Sequence, residues 1–392
     1  MARNITVGID IGTYQVKVVV AEQTKNSGPT PHIIGAGYSE SQGLRHGYII
    51  NSIDVTRSIR HAFAQAEKSS GQKIHRAFLS VGGIGLGSVV SQGAIVISRA
   101  DSEITELDLT KVLDVCEKDL PASFILNKKI IHAIPVQYKL DGKAVLGRPL
   151  GMKGMKLEAK VLFVTCLEHH LNDLIQAVEE AGVEVIDVMA SPLAASLVTL
   201  NKTQKIAGCV LANIGAETVS IAVFENNIPV SLEVFPTGST DITNDIALGL
   251  RVALEEAEHI KLGAVTATTF PRKKLEEIMS ARLADIFELI EAHLKKIGRD
   301  GLLPAGIIIT GGGSGLGNIQ EVAKNTLNLP ARLGSLHLGG EGKSSIKDST
   351  WAVALGLCVF GFTADNTGSL GLHIFGRKIK NALRGFVRQF LP

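Results

Sequence analysis

Apolar residues along this chain come in short blocks. Their spacing switches between the two-residue period of a strand and the 3.6-residue period of a helix, and each block predicts an element. Ile5–Ile11 and Lys17–Ala21 are β-rich runs joined by a turn at Gly12-Thr13. A helix is predicted over Ser52–Ser69 and a short strand over Ala77–Val81. A mixed segment runs from about Gly83 to Leu162, with strand Ala94–Ser98, helix Leu107–Lys118, strand Lys129–Tyr138 and a glycine-rich stretch Gly147–Gly154. Helix His169–Ala181, strand Glu184–Met189 and a helix starting near Pro192 follow. A second half opens near Lys205 with strand Ile206–Asn213, a turn at Gly215 and strand Thr218–Glu225. It continues through a long helical stretch, Asp241–Leu262, and a charged helix-rich segment, Ala264–Arg299. Strand Gly306–Thr310, a glycine cluster and an apolar helix over Thr350–Gly361 complete it.

The opening hairpin therefore occurs twice, and each copy leads into α/β structure. That repeat predicts two similar lobes with a cleft between them. A length of 392 residues accommodates two to four compact units. The formal charge of +2 argues against a nucleic-acid partner but conceals an asymmetry. After Asp365 come Arg377, Lys378, Lys380, Arg384 and Arg388 and no acid, so the remainder is net −3. Cys116, Cys166, Cys209 and Cys358 stand far apart in apolar runs, as expected of buried free thiols in a reducing compartment. No leader pattern precedes Ile5. The best spanning candidate, Trp351–Ala364, is about 14 residues against the roughly 20 a bilayer needs, so a buried helix is expected.

Three loops carry candidate chemistry. In Asp10-Ile11-Gly12-Thr13-Tyr14-Gln15-Val16-Lys17, Gly12 permits a tight turn whose N–H groups can face an anion, and Thr13 adds a hydroxyl. Lys17 supplies a point charge, and Asp10, at a strand end, suits Mg²⁺ held through water. The second loop, Asn213-Ile214-Gly215-Ala216-Glu217-Thr218, has the same placement with Asn213 standing where the first has Asp10. In the third, an apolar strand ends in Gly311-Gly312-Gly313, which lets a ligand touch the backbone. The spacing is not G-x-G-x-x-G, so a dinucleotide fingerprint is not met.

The order of the three loops is more specific than any one of them. On that order the chain resembles the actin-like ATPase superfamily, which includes sugar kinases, heat-shock chaperones and bacterial cytoskeletal proteins, and within it the FtsA cell-division family. Further similar stretches are Ile131–Pro135, Pro149–Met152 with Leu157–Ala159, Thr243–Ala247, and Leu254–Lys261. The resemblance implies an α/β, two-lobed actin-like (ribonuclease-H-like) ATPase fold. A small α+β subdomain is inserted in place of the extra lobe of actin, and a C-terminal amphipathic helix follows. The first lobe would be residues 1–83 and 163–203, the insert 84–162, the second lobe 204–240 and 303–363, and its helix-rich subdomain 241–302. A linker, 364–373, would lead to a membrane-targeting helix, 374–392. ATP with Mg²⁺ would fill the cleft: Gly12, Thr13 and Lys17 at the phosphates, Asp10 near the metal, Gly215 and Thr218 in a second phosphate hairpin. Glu258 and Lys261 would lie near the ribose or purine, and Gly311, Gly312 and Gly313 against the adenosine. Two departures predict slow hydrolysis. Catalytically stronger relatives carry Asp where this chain has Asn213, and Glu or Gln where it has Ser191 before Pro192.

The C-terminus carries a fourth signal. Phe375, Ile379, Leu383, Phe386 and Phe390 share one helical face, and Arg377, Lys380, Arg384 and Arg388 the other, which suits a helix lying in an anionic headgroup layer; a terminal helix packed on its own domain and one seated in a soluble partner's groove are the alternatives. The basic group Lys295, Lys296 and Arg299 ends the helix-rich segment. By resemblance that lobe would receive the C-terminal peptide of the tubulin-like protein FtsZ. The family further implies self-association into filaments on the cytoplasmic face of the membrane at the division site, and recruitment of other divisome proteins. A related adaptor of type IV pilus assembly and a small-molecule kinase are the alternatives. The first is not expected to carry the basic terminal helix, and no acceptor-facing carboxylate is evident for the second.

Overall fold

A computed structural model describes residues 4–23, 31–264, 270–336, 346 and 348–366. The tail residues expected to bind membrane lie outside these. In chain order the elements begin with β1 (Asn4–Ile11), β2 (Gln15–Gln23), β3 (His32–Glu40), a small ribbon of β4 (Leu44–Arg45) and β5 (Tyr48–Ile49), α1 (Ser52–Ser70) and β6 (Arg76–Val81). Next are β7 (Gly87–Val96), α2 (Glu106–Lys118), α3 (Ala122–Ile125), β8 (Lys128–Leu140), β9 (Lys143–Val145) and β10 (Lys156–Leu167). Then come α4 (Glu168–Glu180), β11 (Glu184–Ala190), α5 (Ser191–Thr199) and α6 (Lys202–Ala207). The second half contains β12 (Cys209–Ile214), β13 (Val219–Glu225), β14 (Ile228–Phe235), α7 (Ser239–Leu250), α8 (Leu254–Lys261) and α9 (Arg272–Lys296). It ends with β15 (Gly306–Thr310), α10 (Ile319–Leu327), β16 (Ala331–Leu333) and α11 (Ala352–Asn366).

Two five-stranded sheets have matching topology, with orders β11-β6-β1-β2-β3 and β16-β15-β12-β13-β14. In each, a three-stranded antiparallel meander is extended by two parallel strands. The insert is a separate antiparallel sheet, β7-β10-β8-β9, covered by α2. Its edge strand β7 reaches the second lobe, where Ser88 Oγ donates to Leu232 O at 2.8 Å and receives Leu232 N–H at 2.8 Å.

Each lobe has its own apolar centre, as does the insert. A further cluster joins them. It collects Val19 and Phe78 from the first sheet, Leu162 from the insert, Leu193 and Ala194 of α5, Leu211 and Phe224 of the second sheet, and Leu355 and Leu357 of α11. Glycines set its spacing. A Cβ at Gly356 would lie 1.9 Å from the Ala194 carbonyl oxygen, and one at Gly8 would lie 2.2 Å from the Ala354 carbonyl oxygen. Thus α5 and α11 cross at backbone contact behind the cleft. All four cysteines are free and buried, and among the described residues no helix is long and apolar enough to cross a membrane.

Several elements differ from the periodicity reading. The stretch predicted as one helix over 241–262 is broken, because Arg251 adopts a left-handed conformation (φ 59°) that ends α7 and lets α8 fold back. The strand expected from Ile206 begins at Cys209. Residues 202–207 instead form α6, whose capping box pairs Asn201 with Gln204 at 2.8 and 2.9 Å. The strand expected at Ala94–Ser98 is the end of a longer one, Gly87–Val96. The last helix runs to Asn366, into the expected linker.

Candidate functional site

The two hairpins repeat each other atom for atom at their turns. Gly12 N–H donates to Gln15 O at 3.2 Å, and Gly215 N–H donates to Thr218 O at 2.9 Å. Each turn follows a strand paired in register with the next, so the loop geometry is imposed by the sheet. The second turn is also braced by α7. Ser239 N–H reaches Gly215 O at 2.9 Å and Thr240 N–H reaches Ala216 O at 2.8 Å. A Cβ at Gly238 would strike Ala216 O at 2.3 Å.

The hairpins face each other across a cavity of about 570 Å³. All twelve residues singled out from the three loops and the α8 motif line it: Asp10, Gly12, Thr13, Lys17, Asn213, Gly215, Thr218, Glu258, Lys261, Gly311, Gly312 and Gly313. Ser191, one of the two departures, lines it as well.

Charge in the cavity is held by specific partners. Asp10 stands opposite Lys17 in the β1–β2 register. Ser80 Oγ, on the neighbouring strand β6, donates to Asp10 Oδ1 at 2.6 Å. Burial raises the Asp10 carboxyl above the usual carboxylate range, while the Ser80 hydrogen bond and the Lys17 charge oppose that shift. Burial lowers Lys17, against the pull of Asp10 and Asp348. The Lys17 ammonium donates to Thr350 O at 3.0 Å and sits 5.6 Å from the Trp351 ring centre. Across the cavity, Lys261 pairs with Glu258 at 2.7 Å and donates to Thr243 Oγ1 at 2.8 Å and Ser239 O at 3.1 Å. Thr243 Oγ1 donates to Glu258 at 2.5 Å. The break at Arg251 makes this network possible, because it folds α8 back against the start of α7.

The third loop works through absent side chains. Gly311 has φ 90°, and a Cβ there would lie 2.4 Å from Asn213 Oδ1. Gly312 and Gly315 would meet nothing within 4 Å, so their backbone is open to the cavity. Together these features provide turn amides, two ammonium groups and one buried carboxylate around a concave space, an arrangement suited to a polyanion.

Sequence reasoning missed Ser80, Ser349, Thr350 and the Gly47, Gly82 and Gly83 contacts, all supplied by segments with no motif of their own. The basic group lies elsewhere. Lys295 pairs with Glu291 at 2.8 Å along α9, and Arg299 pairs with Glu225. Burial raises the Glu233 carboxyl against the pull of the Lys296 charge, and burial, helped by Lys296, lowers the His293 ring to about 4.

The duplicated sheets and the cleft between them define an actin-like protein. Among solved structures, the fold is similar to that of a PilM-PilN type IV pilus biogenesis complex (TM-score 0.66, 17% identity, 91% of this chain and 98% of that one). It is also similar to MreB5 of Spiroplasma citri bound to ADP (TM-score 0.55, 13% identity, 94% and 99%). Sequence comparison is more specific. A family model for cell division protein FtsA matches residues 210–356, and one for the SHS2 domain inserted in FtsA matches 83–165. The cell division protein FtsA of Pseudomonas aeruginosa is 30% identical, covering 92% of this chain and 90% of the relative. That of Bacillus subtilis is 31% identical, covering 90% and 82%. The chain belongs to the FtsA family and is an actin-like cell-division protein.

Proposed function

We propose that this protein binds ATP with Mg²⁺ in the interlobe cleft, self-associates into filaments on the cytoplasmic face of the membrane, and anchors FtsZ filaments there. The carrying observation is the convergence of twelve residues from four separate segments on one cavity. The triphosphate would rest between the two hairpin turns, with Lys17 as counter-charge. Asp10 would orient water on the magnesium ion, steadied by Ser80 and Lys17. Leu262 and Leu316 supply apolar surface for the base.

Turnover should be slow. Among the described residues, the carboxylates lining the cavity are those of Asp10 and Glu258. Asp10 is engaged by Ser80, and Glu258 by Thr243 and Lys261. Asn213 and Ser191 offer neutral groups, which cannot serve as a general base for attacking water. The MreB5 structure, which is bound to ADP, supports nucleotide binding by this fold.

The tail, 374–392, would supply the membrane contact. Each buried large apolar side chain contributes roughly 1.5–3 kcal/mol, and each basic residue near an anionic surface about 1 kcal/mol. Many such anchors on one filament add avidity. Lys296, with Lys295 and Arg299, would receive the FtsZ C-terminal peptide. Calorimetry with Mg-ATP, followed by electron microscopy on an anionic lipid monolayer, tests the reading. Binding and membrane-associated filaments are expected. No detectable adenine-nucleotide binding would reject it.

A further inference from the structure

The ribbon β4–β5 belongs to the first lobe, yet its turn reaches the second. His46, at φ 48°, turns its main-chain N–H toward the second lobe, where the Glu217 carboxylate accepts it. His46 Nδ1 also lies 3.2 Å from the Glu217 carbonyl oxygen. Glu217 is part of the second hairpin turn, between Gly215 and Thr218, which both line the cavity. Gly47, next to His46, lines the same cavity.

The ribbon is seated firmly on its own side. A Cβ on Gly47 would lie 2.5 Å from Gly83 Cα, so the two backbones touch. Tyr48 packs on His170 with ring centres 4.6 Å apart, and His170 Nε2 lies 2.9 Å from Gly82 O. Gly82 in turn lies beside Ser191, the first residue of α5. On the far side, the Glu217 turn is tied to α7 through the Ser239 and Thr240 amides, and α7 carries Thr243 of the Lys261–Glu258 network. One carboxylate thus connects the two lobes beside the cavity. A charge-assisted hydrogen bond of this kind forms only when the lobes are near each other.

We infer that the β4–β5 ribbon is a strap over the cleft, fastened by Glu217 to His46, and that unfastening it gates nucleotide exit. This rests on the proposed nucleotide site. A ligand between the hairpins holds the lobes together and keeps the clasp within reach. The clasp in turn slows departure of the ligand.

Two measurements on the full-length chain test the inference. The first is hydrogen exchange of residues 43–50 without nucleotide, in the parent protein and in Glu217→Ala. The clasp predicts faster exchange in the variant, and unchanged exchange overturns it whatever the cleft binds. The second is release of a fluorescent ribose-labelled ATP in stopped flow. Release should accelerate roughly tenfold in Glu217→Ala, the loss expected for a hydrogen bond to a charged group, and less in Glu217→Gln, which keeps an acceptor oxygen. Equal release rates from variant and parent overturn the gate. If the parent binds no labelled ATP, the nucleotide reading fails, while the exchange measurement still decides the clasp. Glu217→Ser, whose shorter side chain does not reach the His46 N–H, carries both measurements should Glu217→Ala melt early.

Discussion

A Cβ at Gly311 would lie 2.4 Å from Asn213 Oδ1 and its φ is 90°, whereas one at Gly312 would meet nothing within 4 Å. Adjacent glycines thus have different duties, and substitution separates them. Gly311→Ala should lower stability by about 1–3 kcal/mol through strain and clash, seen as a reduced melting temperature. Gly312→Val should leave the melting temperature close to the parent's and weaken ATP binding at least about tenfold by placing methyls in the cavity, a change of about 1.4 kcal/mol or more, measured by calorimetry. At this scale the site was readable wherever a glycine or a charge had to recur at a fixed spacing, as with Gly12, Lys17, Gly215 and Gly311–Gly313. Ser80 escaped because its role comes from parallel pairing of β6 with β1, where the Ile9–Leu79 register puts Ser80 beside Asp10. No local pattern records that neighbour. Thr350 likewise reaches Lys17 across 333 positions.

The helices α5 and α11 meet where Gly356 faces Ala194. A Cβ 1.9 Å from a carbonyl oxygen forces the helices apart, so Gly356→Ala should cost about 3 kcal/mol, measured by denaturant unfolding. The joint has a second device. His132 on β8 accepts the Ala190 N–H at 3.1 Å through Nε2, just where β11 gives way to α5. Burial holds its pKa down to about 3, from 6.5. Between those values the unfolded chain binds the proton and the fold does not, so this stability is full above about pH 6.5 and drains away toward pH 3. The melting temperature of His132→Gln should therefore fall less steeply over that interval than that of the parent. Elements with a clean period, such as α1, α2, α4 and β15, were legible in the sequence. Strand β3 was not, because Gly35 and Gly37 depress strand propensity. The structure explains them by close approach: a Cβ at Gly37 would sit 2.1 Å from Ala62 O of α1. The break between α7 and α8 was equally hidden, since Arg251 adopts a left-handed turn more usual for glycine or asparagine.

Taken as a whole, the molecule joins two lobes and an insert through one shared apolar cluster. The membrane contact proposed for the tail involves none of the residues lining the cavity, so Phe386→Asp with Phe390→Asp should abolish sedimentation with anionic vesicles while ATP binding stays at the parent's level. Lys296→Glu should weaken binding of the FtsZ C-terminal peptide in fluorescence anisotropy and leave sedimentation unchanged. The shared cluster has a mechanical corollary. Densely packed interiors resist compression, so the seam behind the cavity is expected to act like the spine of a book, letting the pages swing without sliding. A swing at the spine would part residues 46 and 217, which the clasp holds together. Distance probes placed there will register the swing, and a pair placed near Ala194 and Gly356 will read almost nothing.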